Sequence, residues 1–342
     1  MADPVTGDPS STARALGITL AQSVAPSDTS TSTLIHPDGI QIRYGRTETV
    51  AHNDIVYSTP LSAVGHPTEL KLDILAPAAG AAAGTGRPLV VCVPGGGFVV
   101  AARESGQQRI HLAEHGYVVA SIEHRTILHG ATYRDGVADV KAAIRHLRAN
   151  ADRYGVDPER VAVHGESAGG YLAAMVGVTN GRKEFDLGDH LDRPSEVQAV
   201  VDMFGPSDLA QVGADFDDTA RQAHKAAGNP FAAWVLGPGT DQSLSDHPDE
   251  VARADPATYA DASAPPFLLL HGSADLLISP SQTLLLHNAL QAQGADSTRY
   301  VVADANHGDM TFLGDPDAGL PWTTTNVTGC VLAFLDRHLG MA

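Results

Sequence analysis

The segment Gly165-Glu166-Ser167-Ala168-Gly169 carries the residue best placed to act as a nucleophile. A short apolar run at residues 161–163 precedes it, and a helical pattern at 168–179 follows it directly. A sharp strand-to-helix turn would leave the Ser167 side chain exposed at the end of a strand, and the flanking glycines are needed because a Cβ there would clash with the helix and the neighbouring strand. A tight structural turn would also use glycines, but the strand–turn–helix setting favours a nucleophilic serine.

A second segment, Pro94-Gly95-Gly96-Gly97-Phe98, follows an apolar run at residues 89–93. Three consecutive glycines are costly to order, so a plain loop seldom uses them. Here they would let backbone N–H groups point at an oxyanion that develops beside the serine. We therefore predict an oxyanion hole made by the N–H groups of Gly96, Gly97 and Ala168, with a flexible glycine-rich turn as the alternative.

A serine is a weak nucleophile until a histidine takes its proton, and an acid must orient that histidine. Asp275 follows an apolar run at residues 267–270, and His307 follows a predicted strand at 298–302. Because the carboxyl ends of parallel strands meet at one edge of a sheet, both side chains are expected near Ser167. The predicted triad is Ser167, His307 and Asp275, with Asp208 as the alternative acid.

The elements that would position these residues follow from hydrophobic patterning. Residues 69–74 alternate polar and apolar side chains, as a strand with one solvated face does. Continuous apolar runs at 89–93, 117–122, 161–163, 199–204 and 267–270 are typical of parallel strands covered by helices on both faces. Helical patterns lie at 135–154, 168–179, 279–293 and 323–339. The predicted fold class is α/β, with a mainly parallel, doubly wound sheet and antiparallel N-terminal strands.

The predicted organisation is one domain with two additions. Residues 1–40 are expected to form an N-terminal arm that contributes to a cap, with a short helix around 12–24, and residues 41–342 form the α/β domain. Residues 207–262 break the alternation and are predicted to be a lid insertion. The predicted substrate-binding residues are Phe231 and Trp234 in this insertion, together with Phe98 and Glu166.

Composition excludes several classes of function. The 342 residues carry 22 Lys+Arg against 40 Asp+Glu, a formal net charge of −18, which repels nucleic acid. Hydrophobic residues make up 43%, enough for a large core, so a disordered chain is excluded. No run approaches 18 apolar residues, so no membrane insertion is expected. No secretory signal is evident either, so a cytoplasmic protein is expected.

Cysteine and histidine usage predicts neither a disulfide framework nor a metal. Cys92 and Cys330 lie in apolar runs and are expected to be buried free thiols. His111 and His115 stand four residues apart in a predicted helix, a spacing that suits a metal, but no third ligand is evident and a solvated helix face is favoured.

Taken together, these motifs resemble the α/β-hydrolases of the hormone-sensitive-lipase and carboxylesterase group, most of all the bacterial feruloyl-esterase and arylformamidase-like branch. The resemblance spans about residues 65–340 and is carried by segments 94–98, 117–125, 139–170, 200–209, 264–275 and 306–308. It implies an α/β-hydrolase fold and ester hydrolysis through an acyl-serine intermediate without a cofactor. The family usually has histidine before its glycines, where this chain has Pro94, and a Tyr-Arg-Leu-like segment reads His124-Arg125-Thr126.

The predicted function is therefore a serine hydrolase that cleaves a carboxylic ester of a small to medium, fairly apolar substrate. Amide or formamide hydrolysis and acyl transfer use the same acyl-enzyme and stay open. A non-catalytic, small-molecule-binding homologue is less favoured because Ser, Asp and His are all kept. The expected partner is a small-molecule ester, and a homodimer is compatible with the sequence.

Overall fold

A computed structural model describes residues 17–40, 42, 45–78, 86–105, 108–311 and 324–341. Its strands are β1 (Thr33–Ile35), β2 (Thr49–Ser58), β3 (Leu70–Pro77), β4 (Arg87–Val93), β5 (Val118–Ile122), β6 (Val156–Glu166), β7 (Ala199–Met203), β8 (Phe267–Gly272) and β9 (Ser297–Val302). Its helices are α1 (Gln108–His115), α2 (Tyr133–Ala149), α3 (Ala151–Tyr154), α4 (Ala168–Val178), α5 (Asp218–Lys225), α6 (Pro230–Leu236), α7 (Pro248–Ala254), α8 (Ser281–Ala292) and α9 (Thr325–Leu339).

The strands form one sheet in the order β1-β9-β8-β7-β6-β4-β5-β3-β2. Pairing is parallel from β1 to β5 along this order and antiparallel at the β5–β3 and β3–β2 junctions. The continuous apolar runs are thus the inner strands, which have covered faces: every residue of β5, β7 and β8 is buried. The predicted α/β class, with a mainly parallel sheet and antiparallel strands near the N-terminus, is confirmed.

Helix α2 shows how the predicted periodicity becomes packing. It begins after Thr132, whose backbone N–H donates to the Asp135 carboxylate in a capping box. Its apolar stripe is buried, and Val137, Ile144 and Leu147 are fully enclosed. The helix predicted over 135–154 is in fact two helices, since α2 ends before Asn150 and α3 follows it.

The N-terminal region is not helical where the structure describes it, and its role as an arm that contributes to a cap stays a prediction. The part of the predicted 12–24 helix at residues 12–16 lies outside the described residues, and 17–24 are not helical. The Ala21 N–H donates to the Leu276 carbonyl, and Ala25 donates to Asp215. Further on, β1 pairs in parallel with β9 and extends the sheet. Residues 17–40 are therefore packed onto the domain.

Residues 207–262 connect β7 to β8 and contain α5, α6 and α7. Helix α6 is capped by Asn229, whose side chain accepts from the N–H groups of Phe231 and Ala232, and Pro230 stands at the first helical position. The aromatic side chains of α6, Phe231 and Trp234, are buried at 3% and 0% exposure. That this insertion acts as a lid stays a prediction.

Two negative findings hold for the part of the chain that the structure describes. None of its helices has the length and apolarity that crossing a bilayer requires. It contains no cluster of three or more His, Cys, Asp or Glu side chains suited to a metal ion. His111 is buried rather than solvated as expected, and Nε2 of His115 lies 3.1 Å from Oδ2 of Asp336.

Candidate active site

Ser167 occupies a strained turn between β6 and α4. Its φ of +54° and ψ of −120° lie in a region that non-glycine residues rarely adopt, at a cost of about 1–3 kcal/mol. Its N–H donates to the Met203 carbonyl at 2.9 Å, which ties the turn to β7. A Cβ at Gly165 would overlap the Gly169 carbonyl, and one at Gly169 would overlap the Val93 carbonyl. The glycines therefore allow β4, β6 and α4 to approach closely enough to hold the turn.

The three predicted catalytic side chains form one hydrogen-bonded line. Nε2 of His307 lies 3.0 Å from Oγ of Ser167, and Nδ1 lies 2.7 Å from Oδ2 of Asp275. Because a carboxylate only accepts hydrogen bonds, Nδ1 carries the proton, and Nε2 is free to accept from the serine hydroxyl. The arrangement can thus remove a proton from Ser167.

The Asp275 carboxylate is fully buried and saturated with donors. Oδ1 accepts from the N–H groups of Leu277 and Ile278 at 2.8 and 2.9 Å, and Oδ2 lies 3.1 Å from Nε2 of His271. Burial by itself would raise the pKa of Asp275, but His307 and the hydrogen bond from His271 outweigh it and lower the pKa below its ordinary value. The side chain is therefore an ionised acceptor at neutral pH.

The alternative acid, Asp208, is occupied elsewhere. Its Oδ1 accepts from the Ala210 N–H at 2.9 Å, and its Oδ2 accepts from the Gln211 side-chain amide. The carboxylate therefore closes its own turn, while Asp275 takes the contact to His307.

Two residues that sequence reasoning missed hold the imidazole in place. Oδ1 of Asn306 accepts from the N–H groups of Leu276 and His307, at 3.0 and 2.7 Å, and so joins the loop after β8 to the loop after β9. The Phe204 ring lies edge-on to the His307 ring, with centroids 4.7 Å apart. Only Asn306 left a sequence signal, through its place directly before the histidine.

The glycine-rich segment has the backbone that an oxyanion hole needs. Gly96 and Gly97 have φ of +137° and +59°, and a Cβ at Gly96 would overlap the Val100 carbonyl. A Cβ on Gly95 would lie 3.2 Å from the Ser167 Cβ, so the loop passes directly beside the serine. None of the backbone hydrogen bonds among the described residues uses the N–H of Gly96, Gly97 or Ala168 as donor. These groups are available to an incoming oxygen.

Three of the predicted substrate-binding residues pack against one another. Phe98 has φ of +64° and is 1% exposed, with its ring stacked on Trp234 at 4.7 Å between centroids. The edges of Tyr171 and Phe231 complete the cluster, at 5.5 and 6.2 Å from Phe98. Phe98, Phe231 and Trp234 thus support the glycine-rich loop in this structure rather than forming an exposed wall, and substrate contact by them stays a prediction.

Glu166 lies beside the nucleophile and lines a small cavity. Burial raises the pKa of its carboxyl to about 7. The cavity is also lined by Pro94, Arg103 and His164, and it has room for about one water. This space is too small for an ester substrate, so no observed contact supports the predicted substrate role of Glu166.

The segment that departs from the family pattern is held by an ion pair. Arg125 contacts the buried Asp139, with Nη2 2.8 Å from Oδ1, and the Arg125 N–H donates to the same carboxylate at 2.8 Å. Burial raises the pKa of Asp139 to about 6 even though Arg125 opposes that shift. The ring of His124 is buried next to the backbone of Pro94, the residue that stands where the family usually has histidine.

Comparison with known proteins supports the same fold. At 31% identity over 224 residues, the chain is similar to Esterase LipC of Mycobacterium tuberculosis, covering 65% of this chain and 53% of LipC. It is 29% identical over 235 residues to isoprenylcysteine alpha-carbonyl methylesterase ICME of Arabidopsis thaliana, covering 68% and 53%. The chain thus spans about half the length of these curated relatives.

Among solved structures, the chain resembles a truncated carbohydrate esterase from gut microbiota, with a TM-score of 0.70, 25% identity and coverage of 88% of this chain and 99% of that one. It also resembles a bifunctional GH43-CE protein of Bacteroides eggerthii, with a TM-score of 0.69, 28% identity and coverage of 85% and 35%. The BD-FAE family model matches residues 72–290, a range that includes Ser167 and Asp275 and ends before His307. The resemblance seen in the motifs is confirmed: the chain belongs to the BD-FAE family and has the α/β-hydrolase fold.

Proposed function

We propose that the protein is a serine hydrolase that cleaves carboxylic esters of small to medium, fairly apolar substrates. The observation that carries this proposal is the position of His307, with Nε2 3.0 Å from the Ser167 hydroxyl and Nδ1 2.7 Å from the Asp275 carboxylate. The esterase names of the relatives in sequence and structure support it.

In the proposed mechanism, Oγ of Ser167 attacks the ester carbonyl carbon while Nε2 of His307 takes the hydroxyl proton. The negative charge moves to the carbonyl oxygen, which accepts hydrogen bonds from the oxyanion N–H groups, and the Asp275 carboxylate stabilises the imidazolium. Collapse of the tetrahedral intermediate expels the alcohol, which receives the proton from His307. Water then attacks the acyl-serine with the same base and releases the acid. The predicted residues need no cofactor for these steps.

The substrate class has a second candidate. Two structures similar to this chain are described as a carbohydrate esterase and as a GH43-CE protein. Acyl groups esterified to sugars are therefore a substrate class to set beside simple apolar esters. Amides, formamides and acyl transfer to another alcohol use the same acyl-serine, so the choice of substrate separates them.

Labelling with a fluorophosphonate, followed by intact mass measurement, tests the nucleophile. The expected result is one adduct on Ser167 that the Ser167→Ala variant lacks. Turnover of p-nitrophenyl esters of graded acyl length, an acetylated sugar, an arylformamide and an ester with added alcohol then ranks the reactions. A folded wild type that takes no label and cleaves none of these would be a non-catalytic homologue, and the proposal would fail.

We also propose a cytoplasmic location and a homodimer. Neither thiol forms a disulfide, with Cys92 buried and Cys330 half-buried, which fits a reducing compartment. Cell fractionation tests the location.

The homodimer is proposed from an exposed sheet edge. Strand β2 is an edge of the sheet and exposes Val50 and Val56, at 44% and 41%, a surface able to pair with a second copy. Light scattering of the wild type and of Val56→Lys tests the dimer, which a wild-type monomer would exclude.

A further inference from the structure

A second buried histidine contacts the carboxylate that orients His307. His271 lies on β8, is 0% exposed, and places Nε2 3.1 Å from Oδ2 of Asp275 and 3.0 Å from the Ile278 carbonyl. The same Oδ2 receives Nδ1 of His307 at 2.7 Å. Two imidazoles therefore share one carboxylate oxygen, and the mechanism above uses only one of them.

The partners of His271 determine which of its nitrogens carries the proton. A carboxylate oxygen and a backbone carbonyl only accept, so Nε2 must be the donor. Nδ1 lies 3.1 Å from Oγ1 of Thr283, which itself accepts from Nε of Arg299 at 3.0 Å. The threonine hydroxyl keeps its own proton for donation and lies closer to Nδ1 than to its other acceptor, the Pro280 carbonyl at 3.4 Å, so a neutral imidazole with an acceptor at Nδ1 fits these partners.

The surroundings of His271 favour this neutral form. The charged or titratable groups near it are Asp275 in the following loop, His307 and Asp309 beyond that carboxylate, and Arg299 on β9, while α8 contributes the neutral Thr283. Burial, with Arg299 nearby, lowers the pKa of His271 below its ordinary value even though Asp275 opposes the shift. A buried neutral imidazole can donate to Asp275 without cancelling its charge.

Arg299 is itself firmly held. Its guanidinium is 1% exposed, with Nη2 2.7 Å from the Pro280 carbonyl and Nη1 2.8 Å from the Ser32 hydroxyl. The chain Arg299–Thr283–His271 is therefore anchored at a rigid end and directed toward Oδ2 of Asp275.

We propose that His271 is a positioning residue of the triad, which fixes Oδ2 of Asp275 by donating to it from Nε2 so that this oxygen faces Nδ1 of His307. The inference rests on the proposed function. Without this donor, Oδ1 would still be held by the two backbone N–H groups, but of the contacts that the described residues make to Oδ2, that of His307 alone would remain. A small rotation of the carboxylate would then misalign the base, and misplacement by about 1 Å can cost on the order of 10²-fold in rate.

The hydrogen bond from His271 also weakens the electrostatic effect of the Asp275 carboxylate on His307. A hydrogen bond from His271 draws negative charge from Oδ2, so its removal stabilises the imidazolium of His307 more strongly. The acid limb of the kcat/KM profile is therefore expected to move upward in pH, an effect that a residue used only for packing would not produce.

The test compares three variants with the wild type. His271→Leu removes the donor, and His271→Gln keeps an amide N–H near the position of Nε2. His287→Leu is the matched control, because His287 is also a buried histidine, 1% exposed, but it bonds the Ser297 hydroxyl and the Thr31 carbonyl instead of the triad. For each variant, kcat and KM on one activated ester, the pH profile and the Tm are measured.

We expect His271→Leu to lose about 10- to 100-fold in kcat with KM unchanged and its acid limb shifted upward, and His271→Gln to recover most of both. The control is expected to lose Tm but not kcat. A loss of kcat no greater than that of the control, or an acid limb that does not move upward, overturns the proposal. If His271→Leu does not fold, the glutamine variant decides: wild-type kcat together with a wild-type profile supports the proposal, and a loss as large as that of Asp275→Asn overturns it. A wild type that cleaves no ester and takes no fluorophosphonate label would instead refute the proposed function.

Discussion

Replacing Asp275 by asparagine puts an amide nitrogen in place of one buried oxygen, Oδ2, which two histidines contact. Oδ2 lies 2.7 Å from Nδ1 of His307 and 3.1 Å from Nε2 of His271. Oδ1 accepts from the N–H groups of Leu277 and Ile278, so the oxygen of the new amide stays there and its nitrogen takes the place of Oδ2. The variant thus keeps the shape of the side chain and turns an acceptor into a donor.

The reversed hydrogen bond should disable the base. An amide N–H directed at Nδ1 of His307 selects the tautomer with its proton on Nε2, which can no longer accept from Ser167. The amide also meets the N–H of His271 donor to donor. The same exchange elsewhere costs about 10⁴ in kcat, which corresponds to about 5.5 kcal/mol in the activation free energy. KM should change little, because the acid does not contact the substrate.

The measurement pairs this variant with Asp208→Asn on one activated ester. The contacts of Asp208 to the Ala210 N–H and the Gln211 amide close a local turn, so its kcat/KM should stay within about twofold of the wild type. Tm values establish that both variants are folded. If Asp208→Asn is the severe variant, or if Asp275→Asn keeps a tenth of wild-type kcat, the reasoning from the hydrogen bonds is refuted.

The other predictions concern the nucleophile, the aromatic support and a buried carboxyl. Ser167→Ala should lower turnover by about five to six orders of magnitude at unchanged Tm, and a variant with a tenth of wild-type activity would remove Ser167 from its role. Trp234→Ala should lower the free energy of unfolding by about 3–5 kcal/mol and reduce kcat uniformly across acyl lengths, because Trp234 stacks on Phe98 behind the glycine-rich loop. A loss confined to certain acyl lengths would instead make Trp234 a wall of the pocket. Burial raises the pKa of Asp202 from 3.8 to about 7, so the unfolded chain loses this proton at a lower pH than the folded protein does. As the pH rises from about 4 to 7, ionisation of this group therefore lowers the free energy of unfolding, by up to about 1.4 kcal/mol per pH unit. Asp202→Asn removes that effect, so its Tm relative to the wild type should rise over the same range and then level off, and a constant difference would contradict the assignment.

Burial explains which strands the sequence could predict. The inner strands have both faces covered, so their runs are continuous and apolar, and they were located to within a few residues apart from the longer start of β6. Strand β1 has only three residues, and most of β2 is exposed with polar side chains between its valines. Edge strands of this kind take their place from pairing with β9 and β3, which is not a local property of their own residues.

The site shows the same division between local and long-range information. Ser167 and the glycine-rich loop depend on a local backbone conformation that requires glycines nearby in the sequence, so both could be predicted from their motifs. Phe98 and Trp234 are 136 residues apart, and their stacking depends on how the insertion folds back onto the loop. His271 was visible in the segment before Asp275, but whether it points toward the carboxylate depends on α8 and β9.

The choice between the two candidate acids depends on a single oxygen atom. Asp208 and Asp275 follow β7 and β8, which are neighbours in the sheet, so strand order alone leaves both within reach of the site. Each carboxylate uses Oδ1 to close its own loop through backbone N–H groups. The second oxygen of Asp208 is taken by the side chain of Gln211, whereas that of Asp275 receives His307. The two aspartates therefore have the same local role but differ in chemistry because their Oδ2 atoms have different hydrogen-bond partners. The spacing of residues in the sequence does not predict which partner each Oδ2 has.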